Sequence, residues 1–427
     1  MKTPFIQTQY GSIYQNWKLE NFPECIFFQE GPGLRNWQFT DSGMKVINVK
    51  NILLNGTIDT SNSYRFISLE EFRNKYSHFA IKSGDIVVSS SGWSYGKVGR
   101  IKPTDLPLMM NTSVIRFTPL NEENLDSGYL YNFLRSPFFR NQIETFIIGC
   151  KQPNFGPAHI KRMVIPIPPI TTQRKIAAIL SAYDDLIENN TRRIEILEEM
   201  ARSIYREWFV KFRFPGHEQV QMVDSELGLI PEGWEVKNLS EICEIIMGLS
   251  PKSEFYNENA EGLPLHQGVT NFGAWFPTDK VYTTTITRLA KIGDILFSVR
   301  APVGRINIAN KTIVIGRGIC AIRSKTGKQN FVLQQLKDKF YEDNLMGGGT
   351  IYPSVTKEEV QKIKMLVPLP EKILAFESQS LPVFRQIEVF LIKNINLRKT
   401  RDLLLPRLIS GEIDVENLDI NTGTIAA

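Results

Sequence analysis

The sequence predicts an α+β chain: two tandem mixed modules of α/β type, separated by two long helices that form an antiparallel coiled coil with pseudo-two-fold symmetry. Three observations predict it. Four short segments recur in the same order at a spacing of roughly 210 residues, too long for a solenoid and therefore a duplication of whole modules. Each copy ends in a Pro-containing segment, and each such segment is followed by apolar residues on a seven-residue beat. The length of 427 residues leaves room for roughly two to four domains of about 100–200 residues each.

The first matched segment is Trp17-Lys18-Leu19, which returns as Trp234-Glu235-Val236 after the Pro231-Glu232-Gly233 turn. The second is Ile81–Ser89, matched by Ala290–Ser298; each holds a Gly-Asp turn ahead of an apolar strand. The third is Lys97-Val98-Gly99-Arg100-Ile101, matched by Pro302-Val303-Gly304-Arg305-Ile306. The fourth is Met163–Pro169, matched by Met365–Pro370. Between them, Val46–Val49, Ile86–Val88, Val114–Phe117, Ile295–Val299 and Ile313–Ile315 read as strands, and 126–147 and 329–344 as short helices.

The long helices follow. Thr171 and Thr172 are expected to cap the first. Along 173–210, Leu180, Ile187, Ile194, Ala201 and Trp208 share one seam; Ile176, Tyr183, Leu197 and Ile204 share the other, with Asn190 as its polar member. At about 1.5 Å per residue this run spans roughly 57 Å. In the second helix Phe384, Leu391 and Leu405 match one seam, and Ile387, Asn394 and Leu408 the other. Pro382 places the start of that helix nearby, and Gly411 ends it. Neither helix can bury its stripe alone. Pairing the two antiparallel, with Asn190 and Asn394 fixing the register, is the economical arrangement; packing of each on its own module is the alternative.

Composition narrows the function. Hydrophobic residues are 42% and charged residues 22%, which excludes a disordered chain. Lys+Arg is 50 against 45 for Asp+Glu, a net charge of +5: nucleic acid is permitted as a partner, but a dedicated wrapping protein is far more basic. No apolar run approaches the roughly 18 residues of a membrane span, and the start MKTPFIQTQYGS has no signal-peptide core, so a cytoplasmic chain without membrane contact is expected. Cys25, Cys150, Cys243 and Cys320 form no CxxC and only four His are present, so no metal site is expected and the cysteines read as buried thiols.

There is no GxxxxGK[ST], GxGxxG or HExxH, and no motif for amino-methyl transfer. Asp224 followed by Glu235-Val236-Lys237 has a nuclease-like spacing, but Glu235 aligns with Lys18 of the other copy. Gly31-Pro32-Gly33 and Gly347-Gly348-Gly349 read as loops. No catalytic residue is assigned.

Side chains suited to DNA are present instead. In the first module these are Arg35, Trp37, Gln38, Lys45, Asn48, Lys50 and Asn51, then the run Ser89-Ser90-Ser91-Gly92-Trp93-Ser94-Tyr95-Gly96-Lys97, then Asn111, Lys151, Gln152 and Asn154. In the second they are Gln267, Thr270, Asn271 and Trp275, then Arg300, Arg305, Arg317, Arg323 and Thr350. Asn and Gln can read adenine, Arg guanine, and hydroxyls and Lys hold phosphates. The loops after the Gly-Asp strands are favoured, because they vary on a shared framework.

Three stretches carry a family resemblance: Arg206-Glu207-Trp208-Phe209-Val210-Lys211-Phe212-Arg213-Phe214-Pro215-Gly216, Leu227–Trp234, and Leu403-Leu404-Leu405-Pro406-Arg407-Leu408-Ile409-Ser410-Gly411-Glu412-Ile413. With the two-module architecture, they resemble the specificity subunit of type I restriction-modification systems; Phe28–Arg35 and Gly43–Val49 resemble one recurring type of its recognition domain. The resemblance implies a target recognition domain at 1–168, a conserved helical region at 169–213, a linker at 214–230, a second recognition domain at 231–368, a second helical region at 369–414 and a tail at 415–427. It implies a non-catalytic subunit on double-stranded DNA. Each recognition domain reads one half of a bipartite, non-palindromic target, and the helices set the spacer and dock two modification (methyltransferase) subunits. Two restriction subunits can join. S-adenosylmethionine, ATP and Mg are expected in those partners and no cofactor in this chain. A stand-alone nuclease and a coiled-coil protein adaptor are the alternatives.

Overall fold

The duplication is written into the hydrogen bonding of the chain. The structure, a computed structural model, describes residues 4–61, 65–147, 153–340 and 354–422. In the first module the strands are β1 (Lys18–Asn21), β2 (Ile26–Glu30), β3 (Met44–Ile47), β4 (Arg65–Ile67), β5 (Ile86–Ser89), β6 (Val98–Arg100), β7 (Leu108–Met110), β8 (Val114–Pro119) and β9 (Val164–Ile167). An antiparallel sheet runs β2-β8-β5-β6, and a second sheet runs β4-β3-β7 with β3 and β7 parallel. β9 returns to β1, Ile165 facing Glu20. Helices α1 (Ser127–Arg135) and α2 (Pro137–Ile147) cover the larger sheet, where Phe22, Phe117, Phe133 and Phe139 are fully buried ring against ring. From β9 the chain enters α3 (Ile170–Phe209).

The second module repeats the plan with β10 (Glu235–Asn238), β11 (Cys243–Met247), β12 (Leu263–His266), β13 (Ile295–Ser298), β14 (Ile306–Ile308), β15 (Ile313–Ile315), β16 (Ile319–Ser324), α4 (Gln329–Lys339) and β17 (Lys364–Val367). Its sheet order β11-β16-β13-β14 equals that of the first module, β12 and β15 are parallel like β3 and β7, and β10 closes on β17 as β1 does on β9. The chain then enters α5 (Pro370–Ile409).

The Gly-Asp turns explain why this segment recurs. Gly84 and Gly293 have φ of +87° and +83°, which an L side chain rarely adopts. Asp85 accepts from Lys82 N–H at 2.8 Å, and Asp294 from Lys291 N–H at 2.7 Å. An arginine from the neighbouring strand then meets each aspartate: Arg116 reaches Asp85 at 3.4 Å and Arg323 reaches Asp294 at 2.6 Å. At the other strand end, Ser89 Oγ accepts from Lys97 N–H at 3.0 Å and donates to Ser94 O, while Ser298 Oγ accepts from Arg305 N–H at 2.8 Å and donates to Pro302 O at 2.7 Å.

By packing the chain divides into two units, Met1–Asn189 with Lys393–Ala427, and Asn190–Ile392. The helical regions are thus not separate bodies: each is shared between the units. In the first unit Asp184 meets Arg401, Ile187 O accepts from the buried Asn394 Nδ2 at 3.3 Å, and Lys175 Nζ donates to Glu416 O. Numbers rise along α3 as they fall along α5, so the pairing is antiparallel. In the second unit the same sense holds, with the Arg193 guanidinium over the Phe390 ring at 5.5 Å and Tyr205 beside Phe376 at 6.1 Å.

Ile176, Leu180, Ile187, Asn190, Ile194, Phe384, Ile387 and Asn394 are buried, and Tyr183, Leu197, Ile204 and Leu391 half-buried. The seam is not purely helix on helix. Ile176, Leu180, Leu405 and Leu408 belong to the core cluster of the first module, and Ile194, Ala201, Phe384 and Ile387 to that of the second. The two arrangements weighed from sequence are therefore both realised, because one stripe is wide enough to meet a partner helix and a module together.

Three expectations are corrected. Pro382 does not start the second helix; it lies exposed inside α5, which begins at Pro370 and continues past Leu391 to Ile409. Thr171 and Thr172 do not cap α3: the helix already includes Ile170, and the buried Gln173 holds Asn124 O, Pro168 O and Asp126 N–H instead. The stretch 214–230 is no loose linker. Phe214 is buried and stacks on Trp234 at 5.0 Å, and Met222–Ser225 forms a hairpin with Gly228–Pro231. Gly411 does end α5, with φ of +77°.

No helix among the described residues is long and apolar enough to cross a membrane. Burial pushes the thiols of Cys25, Cys243 and Cys320 up to about 12. Cys243 and Cys320 are thus expected to resist iodoacetamide at about pH 8 in the folded protein and to react after denaturation, read by peptide mass mapping. Stability falls as pH climbs above the ordinary thiol value, because the unfolded thiols ionise while the folded ones stay neutral. Cys150 lies outside the described residues.

Candidate nucleic-acid interface

Register turns the duplication into a residue-by-residue match. Ser89 faces Val114 on β5 and β8, and one further bond, Ser90 N–H to Ser113 O at 2.9 Å, extends the ladder so that Ser91 stands opposite Thr112. In the second module Ser298 faces Ile319, Val299 N–H donates to Gly318 O at 3.0 Å, and Arg300 stands opposite Arg317. Asn111 N–H donates to Ile47 O, and Gly316 N–H to His266 O, which matches Asn48 with Gln267. Bridges Ser91–Asn154 and Arg300–Ser354 match the last pair. Beneath this cluster the backbones approach closely at Gly31 and Gly248; a Cβ there would lie 2.2 Å from the carbonyl oxygens of Asn111 and Gly316.

The same framework therefore displays Asn48, Ser91, Thr112 and Asn154 in one module and Gln267, Arg300, Arg317 and Ser354 in the other. Asn154, Thr112, Gln267, Arg300, Arg317 and Ser354 are exposed, and Asn48 and Ser91 half-buried. Ser250 steadies the second set: its Oγ accepts from Arg317 N–H at 3.1 Å and donates to Gln267 Oε1 at 3.3 Å. Asn48 Oδ1 accepts from Lys50 N–H at 2.9 Å.

Other sequence candidates also reach the surface. Trp37 is 79% exposed in the turn Asn36–Gln38 beside the exposed Arg35, and Lys50, Thr270 and Arg305 are exposed. Lys45, Lys97 and Asn271 are half-buried; Tyr95 carries the Arg140 guanidinium at 4.3 Å over its ring.

Several candidates are structural. Trp275 is 6% exposed, packed edge-on against Phe384 with the Lys337 ammonium 4.0 Å over its ring. Asn51 is buried and staples its own loop, accepting from Asn48 N–H at 2.9 Å and donating to Asp59 O at 2.9 Å. Ser90 is fully buried under the ladder, and Asn111 is buried with Oδ1 accepting from Thr112 N–H. Gln38 is buried between Glu71 and Tyr76, and Arg323 is committed to Asp294 and Glu244. In each case a polar or aromatic side chain serves a buried hydrogen-bond or packing need. Lys151, Gln152 and Thr350 lie outside the described residues, as does the side chain of Trp93.

Thr112, Ser250 and Ser354 were not singled out by sequence. Their only signal is register with the matched strands. The nuclease pair does not assemble. Asp224 is exposed in its hairpin, Glu235 is paired with Lys237 at 2.5 Å, and no group of acidic, His or Cys side chains among the described residues could hold a metal ion.

A family model for the type I restriction modification DNA specificity domain matches residues 28–199 and 231–379. A Methanocaldococcus jannaschii protein provisionally named the MjaX type I restriction enzyme specificity subunit is 29% identical over 425 residues, covering 96% of this chain and 97% of its own. The MjaIX specificity subunit of the same organism is 26% identical over 441 residues, covering 98% of each chain. Among solved structures, the type I restriction-modification S subunit from M. genitalium shares the fold at a TM-score of 0.52 and 18% identity, covering 92% of this chain and 96% of that one.

Proposed function

Because the chain belongs to the family of type I restriction-modification DNA specificity proteins, we propose that each module reads one half of a bipartite double-stranded DNA target. The chain is the DNA specificity subunit of such a system. The observation that carries the two-half reading is the matched framework with unlike outer side chains: Asn48, Ser91 and Thr112 against Gln267, Arg300 and Arg317. Unlike readers make the target non-palindromic.

The helices set the spacer between half-sites and dock two modification subunits. Exposed apolar side chains along them support this: Leu186, Ile395 and Leu403 in the first unit, and Ile196, Met200 and Ile392 in the second. Two restriction subunits join the assembly. This chain performs no catalysis and binds no cofactor; S-adenosylmethionine, ATP and Mg serve the partners, in the cytoplasm. The net charge of +5 fits one subunit's share of the phosphate contacts.

Expressing the chain with its modification partner in a host lacking the system tests this reading. Methylome sequencing is expected to reveal one new bipartite, asymmetric methylated motif. A methylome unchanged by expression of the pair would overturn it.

A further inference from the structure

Resting on the DNA-specificity reading, we propose that Arg300 and Arg317 form a guanine-reading pair in the second module, and that the first module, with Ser91 and Thr112 at the matched positions, reads a half-site without that contact. The pair is unusual for a folded surface. Register places the two arginines directly opposite each other at the end of the β13–β16 ladder, where Cβ atoms lie about 4.5–5.5 Å apart and like charges oppose folding. Both side chains are exposed, and neither makes an ion pair or side-chain hydrogen bond with any described residue. Arg323, on the same β16 strand, is neutralised by Asp294 and Glu244. Among the described residues the arginine the fold uses is thus satisfied, while two adjacent ones have no acidic partner.

The backbone beneath them is held. Val299 N–H is bonded to Gly318 O, Arg317 N–H to Ser250 Oγ, and Arg300 is bridged to Ser354. Ser250 also donates to Gln267 Oε1, and the Gln267 side chain is exposed. The result is a compact array of donors: two planar guanidinium forks and one amide NH₂. Guanine offers the matching edge in the major groove, O6 and N7 both accepting, and a fork takes both at once. Neighbouring base pairs lie about 3.4 Å apart, within the fan of two arginines on adjacent strands. Phosphate oxygens share this acceptor chemistry and are separated from guanine by the test.

The experiment uses the chain assembled with its modification partner and selects bound sequences from a randomised duplex library. Wild type is expected to require guanine in the half-site read by the second module. Arg317→Ala and Arg300→Ala are each expected to cut affinity for the selected site about tenfold to a hundredfold, to relax a guanine position there, and to leave the other half-site unchanged. Arg317→Lys keeps the charge and loses the fork; it is expected to relax the same position while the salt dependence of binding stays at the wild-type slope. If the alanine variants weaken selected and scrambled duplexes equally and flatten the salt slope, the arginines hold phosphates and the proposal falls. If wild type selects a bipartite site lacking guanine in that half, the proposal falls while the specificity reading stands. If wild type selects no bipartite site, both fall.

Discussion

Replacing Phe376 with alanine is expected to destabilise the second unit by about 3–5 kcal/mol. The ring is fully buried on α5 and meets Phe209 at 5.4 Å, Tyr205 at 6.1 Å and Phe331 at 6.2 Å. Those rings come from α3 and α4, so one truncation strips packing from three elements. The site cannot readily collapse to fill the void. Glu377, the next residue, accepts from Phe331 N–H at 2.8 Å and from Asn330 Nδ2 at 3.0 Å, which pins the start of α4 to α5. Urea unfolding followed by the fluorescence of the nearby Trp208 and Trp234 measures the loss. Phe376→Leu keeps most of the volume and is expected to cost well under half as much. A loss below about 1 kcal/mol for alanine would show that the cluster tolerates a cavity and does not hold the helices together.

The second large effect concerns one carboxylate. Asp184 on α3 receives Arg135 from the end of α1 at 2.6 Å and Arg401 from α5 at 2.5 Å. Both arginine side chains are 14% exposed and the aspartate 29%, so the pairs are largely out of water. Asp184→Ala leaves Arg135 without its carboxylate, whereas Arg401 keeps Asp402 at 2.8 Å. Breaking a buried pair costs about 3–5 kcal/mol; with the aspartate partly solvated and one arginine still partnered, about 2–3 kcal/mol is expected. The loss falls on the first unit and is read as a drop in its unfolding midpoint. Asp184→Asn retains an acceptor and should lie between. An unchanged midpoint in Asp184→Ala would show that water replaces the carboxylate without penalty.

Sequence revealed the parts of this fold that burial and backbone geometry dictate. Ile86–Ser89 and Ile295–Ser298 are buried along their whole length, so both copies must be apolar, and the turn before each requires a residue at positive φ followed by an acceptor. The heptad likewise announced the helices. It did not announce their reach, because Pro382 argues locally against a helix that packing on Val383, Phe384 and Ile387 sustains. The recognition surface was the least legible. Exposed positions carry no period, and residue type does not tell burial: Trp275 and Asn51 suit DNA by chemistry yet serve the interior. Ser91 stood in a DNA-suited run, but its match to Arg300, and Thr112 altogether, became visible only once hydrogen bonds set the register.

The first unit is assembled from two stretches of chain, with the whole second unit encoded between them. On a ribosome this imposes an order of events. Ile176 and Leu180 emerge early, but Leu405, Leu408 and Val415, which share their cluster, are synthesised only after all of 190–392. Tyr14 N–H likewise waits for Ser410 O. The second unit can close while the first still exposes an unfinished apolar face to solvent. Nascent chains stalled before residue 393 are therefore the species most prone to chaperone capture and aggregation, and release of the last segment is the step that completes the fold.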